Sequence, residues 1–147
     1  MMTFGYTRSL QPTGDELAAL PLEDRHHAFL ESTATFYHSG NRGVDGNCCC
    51  YYPTPTSPGC PIGRWMTPEN ARRAPINALC NDPIVIDLMP PWMQEMDPWF
   101  RAEVQELHDS RFNWYACGLN DNGKANHQTI LLGLLKRFPL DVGARLP

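Results

Sequence analysis

The residues best equipped for chemistry are one histidine–aspartate pair, six cysteines and a small set of arginines. His108-Asp109 joins a side chain that titrates near neutrality to a carboxylate that can orient it or raise its basicity. Adjacent residues on a helix point about a third of a turn apart, so the spacing predicts that Asp109 does not face His108. A dyad would then draw its acid from another element. No G-x-S-x-G, phosphate loop, H-E-x-x-H or dinucleotide fingerprint is present. A cysteine nucleophile beside His108 is conceivable, but six cysteines offer no way to choose one. The sequence favours a non-enzyme, with a small hydrolase or nucleotide-handling enzyme built on His108 and Asp109 as the alternative.

The cysteines are Cys48, Cys49, Cys50, Cys60, Cys80 and Cys117. Three in a row cannot pair comfortably with one another, because a disulfide needs separated Cα atoms and facing side chains. No basic-then-apolar leader opens the chain, so all six are expected as reduced thiols in a reducing, cytoplasmic compartment. A structural zinc would want four thiolate or imidazole ligands, usually in closely spaced pairs. Cys50 and Cys60, with nine residues between them, are the candidates, and His38 and His108 could complete a set. The spacing does not demand it, and a buried small hydrophobe is the commoner role of cysteine. No cofactor is expected. Arg64, Arg72 and Arg73 could hold the phosphates of a sequestered small ligand, though a solvated pair is the plainer account of Arg72-Arg73.

Charge is unevenly placed. Residues 81–109 hold seven acids and one base, a net of −6 in a chain of net −4, so the remainder is +2. With no basic run, duplex-DNA binding is not expected. The plain reading is a solvated helix face; the sharper one is an acidic surface that docks on a basic protein. Trp92, Glu95, Trp99, Glu103 and Glu106 form that candidate face, since tryptophan is the side chain that most often anchors interfaces.

Several elements must position these groups. Thr13-x-x-Glu16 is a capping box opening a short helix that Pro21 stops. Leu22, His26, Phe29, Thr33, Phe36 and Tyr37 recur at helical spacing, placing His26 on a core-facing stripe and leaving His27 exposed. Ser39-Gly40 would end that helix through a left-handed glycine. Cys48–Tyr52 and Cys60–Met66 read as the arms of a hairpin with a proline-stiffened loop. Thr67-Pro68 and Asp97-Pro98 each open a helix, the second with Phe100, Val104 and Leu107 on one stripe. Pro83–Ile86 could be a strand or a buried turn. Asn120–Gly123 reads as a turn, followed by a last helix from about Ala125 to Phe138.

The 147 residues suit one domain, with 42% hydrophobic content sufficient for a single core. The longest aliphatic run, Ile130 to Leu135, is far below the roughly 20 residues of a membrane span. Fourteen prolines, about double ordinary usage, shorten every element. The expected architecture is α+β: a mostly helical single domain over 13–140 with one small β-hairpin around Cys48–Trp65. A loose arm (1–12) and a loose tail (141–147) flank it.

Two stretches carry a resemblance. The first is Cys50-Tyr51-Tyr52, then Gly59-Cys60-Pro61-Ile62-Gly63-Arg64-Trp65 and Thr67-Pro68-Glu69. The second is Pro91-Trp92-Met93, Phe100, Val104-Gln105, His108-Asp109 and Asn113-Trp114. Their order and spacing over residues 29–137 resemble a family of small uncharacterised proteins of tailed phages and prophages. That family's pattern is C-x-Y-R, a D-G turn, C-x-I-G-C-L-I-P-D/E, then L-P-x-W and L-Q-x-x-H-D with a following tryptophan. Tyr52 stands in place of its arginine, Arg64 in place of a cysteine, and Val104 in place of a leucine. The arginine weighs against a metal site using that cysteine. The resemblance implies no reaction. It implies a phage setting, life in a bacterial cytoplasm and a hairpin packed among helices, with His108, Asp109 and Trp114 tying the last helices together. The expected role is an accessory protein that binds a host or defence protein with a basic surface and blocks it sterically.

Overall fold

Short polar signals start the helices, and buried side chains finish them. In the computed structural model, which describes residues 4–42, 59–75 and 78–139, seven helices run in chain order. They are α1 (Gly14–Ala19), α2 (Leu22–Phe36), α3 (Pro68–Arg73), α4 (Pro83–Ile86), α5 (Pro91–Gln94), α6 (Pro98–Asp109) and α7 (Asp121–Arg137). One antiparallel hairpin joins β1 (Trp114–Tyr115) to β2 (Gly118–Leu119), with Trp114 opposite Leu119 and Tyr115 opposite Gly118. The fold is therefore mostly helical with a small hairpin.

The helix starts follow from capping chemistry. Thr13 and Glu16 form the reciprocal box at α1, and the Thr67, Asp82, Asp97 and Asn120 side chains accept from the first-turn amides of α3, α4, α6 and α7. Proline occupies the first turn of α3, α4, α5 and α6, where its missing N–H costs nothing. Helices α2, α6 and α7 pack together, and α1 and α5 close over the start of α2. Leu17, Phe29, Met93, Met96, Phe100 and Leu134 are fully buried between them. Each such side chain contributes about 1.5–3 kcal/mol by leaving water. Residues 4–11 lie along α2, where the Phe4 and Tyr6 amides donate to the Glu31 carboxylate and Gln11 donates to Thr35.

The helix ends are the less ordinary part. A helix leaves its last carbonyls without partners, and a left-handed glycine is a common remedy. Among the described residues the positive-φ glycines are Gly5, Gly59 and Gly118, none of them at a helix end. Side chains supply the donors instead. All five N–H groups of Arg25 are used: Nε to Leu17 O, Nη2 to Ala18 O and Leu20 O, and Nη1 to Trp92 O and the Glu95 carboxylate. Arg101, 2% exposed, donates through Nη1 to Met93 O and Met96 O. Arg42 reaches the His108 and Asp109 carbonyls at 2.9 Å each.

Four expectations need correction. The Cys60–Met66 arm is not a strand: Gly63–Trp65 is a 3₁₀ turn, begun where Arg64 N donates to Cys60 O across Pro61. The other arm, Cys48–Tyr52, lies outside the described residues, and the hairpin observed is Trp114–Leu119. Pro83–Ile86 is helical because Asp82 caps it. Asn120–Gly123 opens α7 rather than a separate turn, since Asn120 Oδ1 accepts from Gly123 N at 2.8 Å. Helix α2 ends at Phe36 with Tyr37 extended, and Asn41 Nδ2 caps Phe36 O, so Gly40 is not needed as a cap.

Three expected outcomes follow. Arg25→Lys keeps the charge but cannot reach five acceptors with one nitrogen, so unfolding free energy should fall by about 3 kcal/mol in urea titration. Glu95→Gln, at the exposed end of the same contact, should change it by less than about 0.5 kcal/mol. Gly123 has no room for a methyl group, because a Cβ there would sit 2.1 Å from Asn113 O and 2.7 Å from Leu119 Cδ2. Gly123→Ala should therefore destabilise by about 2–3 kcal/mol in the same assay.

Candidate functional site

Helix α6 carries two faces of opposite character. Phe100, Val104 and Leu107 turn inward, as their spacing predicts. Trp99, Glu103 and Glu106 recur at i, i+4 and i+7 and share the outer face. The Trp99 ring is 76% exposed at the start of the helix. Glu103 and Glu106 border a groove of about 260 Å³ between α6 and α7, whose remaining wall is Leu107, Ser110, Asn113, Asn126, Thr129 and Ile130. Asn113 fixes its far end. The amide of Asn113, 1% exposed, donates to Leu107 O and accepts from both Asn122 Nδ2 and Asn126 Nδ2. Arg137 bridges Asp97 and Glu103, so one groove carboxylate already holds a guanidinium.

The other two members of the expected face lie elsewhere in the packing. Trp92 is half-buried, its ring 5.6 Å from Trp65 and 6.2 Å from Phe29. Glu95 is exposed but paired with Arg25 at 2.8 Å. The structure thus brings Trp99, Glu103 and Glu106 together and leaves Trp92 and Glu95 as parts of the α1–α2–α5 contact. Ser110, Asn126 and Thr129 escaped the sequence reading, and Asn113 entered it only as part of the resemblance. The i, i+3 pair Asn126/Thr129 beside the apolar Ile130 was the available signal.

His108 and Asp109 do face each other, contrary to the spacing rule. His108 Nδ1 is 2.9 Å from Asp109 Oδ1, because Asp109 ends the helix and its side chain turns back. His108 Nε2 is 2.7 Å from Arg42 O. Each ring nitrogen thus meets an oxygen that can accept a hydrogen bond. The ring is 0% exposed and lies edge-on to Tyr37 at 4.5 Å. Both nitrogens are engaged and sealed from solvent, which leaves neither free to move a substrate proton in this conformation. The carbonyl of His108 meanwhile accepts from Arg42 and from the Trp114 indole. The pair ties α6, the end of α2 and β1 together.

Arg64 is likewise enclosed. Its guanidinium stacks 3.9 Å from the Phe36 centroid and 4.3 Å from that of Trp65, with Nη2 on Gln11 Oε1. Burial pulls its pKa down to about 10, against smaller raising contributions from Tyr37. Arg72 and Arg73 are exposed at the end of α3. The three arginines therefore do not present themselves alike to a ligand.

The cysteines also depart from expectation. Cys60 is disulfide-bonded, whereas Cys80 and Cys117 are free. A disulfide sulfur cannot serve as a zinc thiolate. Cys50 lies outside the described residues, and among the described residues no three His, Cys, Asp or Glu side chains gather as a metal site. His27, expected exposed, is 4% exposed because its Nε2 donates to Phe138 O at 2.7 Å. No helix among the described residues is long and apolar enough to cross a membrane.

Comparison with family models, curated proteins and solved structures finds no match for this chain. The site must be read from its own chemistry. For His108 that reading is structural. His108→Ala should lower unfolding free energy by about 3 kcal/mol, as removal of one member of a buried pair does, measured by urea denaturation. A His108→Ala protein of undiminished stability would contradict it.

Proposed function

We propose that the chain is a non-enzymatic accessory protein that docks a basic partner on the outer face of α6 and blocks it sterically. One observation carries the reading: an exposed tryptophan shares a helix face with two carboxylates that border a groove. Exposed aromatic surface supplies affinity, and the acids supply steering and register. At about 260 Å³ the groove is smaller than the roughly 300–1,000 Å³ of small-molecule pockets, which favours a single partner side chain. Lysine or arginine fits the charge, as Arg137 on Glu103 illustrates within the chain itself.

The alternatives weaken on the same grounds. An enzyme built on His108 would need a ring nitrogen exposed to substrate, and both are engaged. A sequestering binder of a phosphorylated ligand would have Arg72 and Arg73 to offer, with Arg64 stacked between aromatic rings. The resemblance to tailed-phage proteins points to a host or defence protein as the target and to a bacterial cytoplasm as the setting. The Cys60 disulfide bears against that compartment, because such bonds are rare in reducing cytosol.

Tagged protein and three variants would be used to capture partners from bacterial lysate, read by mass spectrometry at low and high salt. A single stoichiometric partner should be retained by the wild type, weakened by salt, and lost from Trp99→Ala and from Glu103→Lys/Glu106→Lys. Glu95→Gln should retain it. Undiminished capture by the double charge reversal would exclude the α6 face as the docking surface.

A further inference from the structure

We propose that His26 is an acid-sensitive latch that holds the last turn of α7 against the start of α6. Three elements meet at this ring. His26 belongs to α2, and its Nδ1 lies 2.7 Å from Leu22 O, a group that can only accept. Nδ1 therefore carries the hydrogen. Nε2 receives the backbone N–H of Asp97 at 2.9 Å, so it is the bare acceptor. The flat face of the ring stacks on Phe138, with centroids 4.1 Å apart and planes 11° apart, and its edge meets Phe100. The neighbouring His27 holds the Phe138 carbonyl. Phe138 is thus gripped by its ring and its backbone from two consecutive histidines.

Only the neutral imidazole fits this arrangement. A proton on Nε2 would point at the Asp97 N–H, setting donor against donor at the positive end of α6. The ring is fully buried, so the charged form also forgoes hydration. The charged groups facing it are few. Asp97 favours the proton, while His27 on α2 and Arg137 on α7 oppose it. Burial outweighs the Asp97 attraction and the Leu22 hydrogen bond, and the His26 pKa lies below its ordinary 6.5.

The sign follows from linkage. Above pH 6.5 the ring is neutral whether the latch is closed or open, and the latch has its full strength. As pH falls below that value, the opened ring takes a proton that the closed ring refuses. The open fraction then rises by up to about tenfold per pH unit, levelling off once the closed ring also titrates. Opening removes Phe138 from His26 and loosens Arg137 from Asp97 and Glu103, so acid uncovers a groove carboxylate. The latch itself does not depend on what the groove binds.

Amide hydrogen exchange of Leu135–Phe138 in the full chain would test this, as protection factors corrected for intrinsic rate between pH 7.5 and 5.5. Protection of that turn should fall below pH 6.5 by up to about tenfold per unit. The fall should vanish in His26→Gln, which accepts a hydrogen bond without titrating, and persist in His127→Gln, which changes the histidine of α7 about two turns before the tested amides. Should His26→Gln fail to fold, imidazole ¹⁵N shifts of the wild type decide the matter. His26 must then show a bare Nε2 at pH 7.5 and titrate below 6.5 together with those amides. Flat protection factors, an unchanged fall in His26→Gln, or a His26 ring that titrates at or above its ordinary value would each overturn the proposal.

Discussion

The satisfaction of helix-end carbonyls is the constraint on which this fold rests. Prolines stand at or before the start and after the end of α1, α3, α4 and α5, leaving helices of four to six residues that are too short to hold themselves. Each cut exposes carbonyls that, among the described residues, no left-handed glycine turns back to cover. The remedy is a set of long, planar or branched donors reaching in from elsewhere. Arg25 serves α1 and α5, Arg101 serves α5, and Arg42 with the Trp114 indole serves α6. His27 serves the end of α7. Guanidinium suits the task because one side chain carries five donors and remains weakly hydrated when buried. The preponderance of arginine over lysine thereby acquires a structural meaning.

This economy consumes the residues that a search for chemistry would single out. His108 and Asp109 have the composition of a catalytic pair and serve as a buried joint. Arg64 has the composition of a phosphate contact and lies between aromatic rings. What remains outside includes one tryptophan and two glutamates beside the polar wall of a small groove, with Arg72 and Arg73 exposed on α3. Function is argued from this remainder because the interior groups are already engaged.

The starts of α1, α3 and α6 were legible in the sequence, because each uses a side chain within three residues of the amide it caps. By contrast, α4 and α7 open where the sequence suggested a strand or a turn, and α5 has no side-chain cap. Thr13, Thr67 and Asp97 are local signals and are found where they point. Where α1 and α7 end was legible, but the donors that satisfy the end carbonyls were not, because they come from far along the chain: Arg42 for His108, or His27 for Phe138. The hairpin was placed on a cysteine-rich segment by its β-prone residues. The pair observed depends instead on Gly118, whose φ of 131° admits the tight reversal, and on Trp114 bonding back to α6. Trp99, Glu103 and Glu106 were legible as a face because helical spacing alone groups them. Trp92 and Glu95 could not be separated from them until Trp65 and Arg25 came into view.

Capping across long sequence separations also bears on how the chain reaches its native state. A bundle whose helices cap themselves can form piece by piece, each segment gaining stability as it appears. Here the end of α1 awaits a residue of α2 that also binds the α5 turn, and the end of α6 awaits the loop after α2. Closing such loops precedes the reward, so the chain should fold in a concerted step, more slowly than its helical content suggests. Partial structures would carry bare carbonyls and gain little from persisting. The arginines thereby act as checkpoints of assembly, making native secondary structure conditional on native topology.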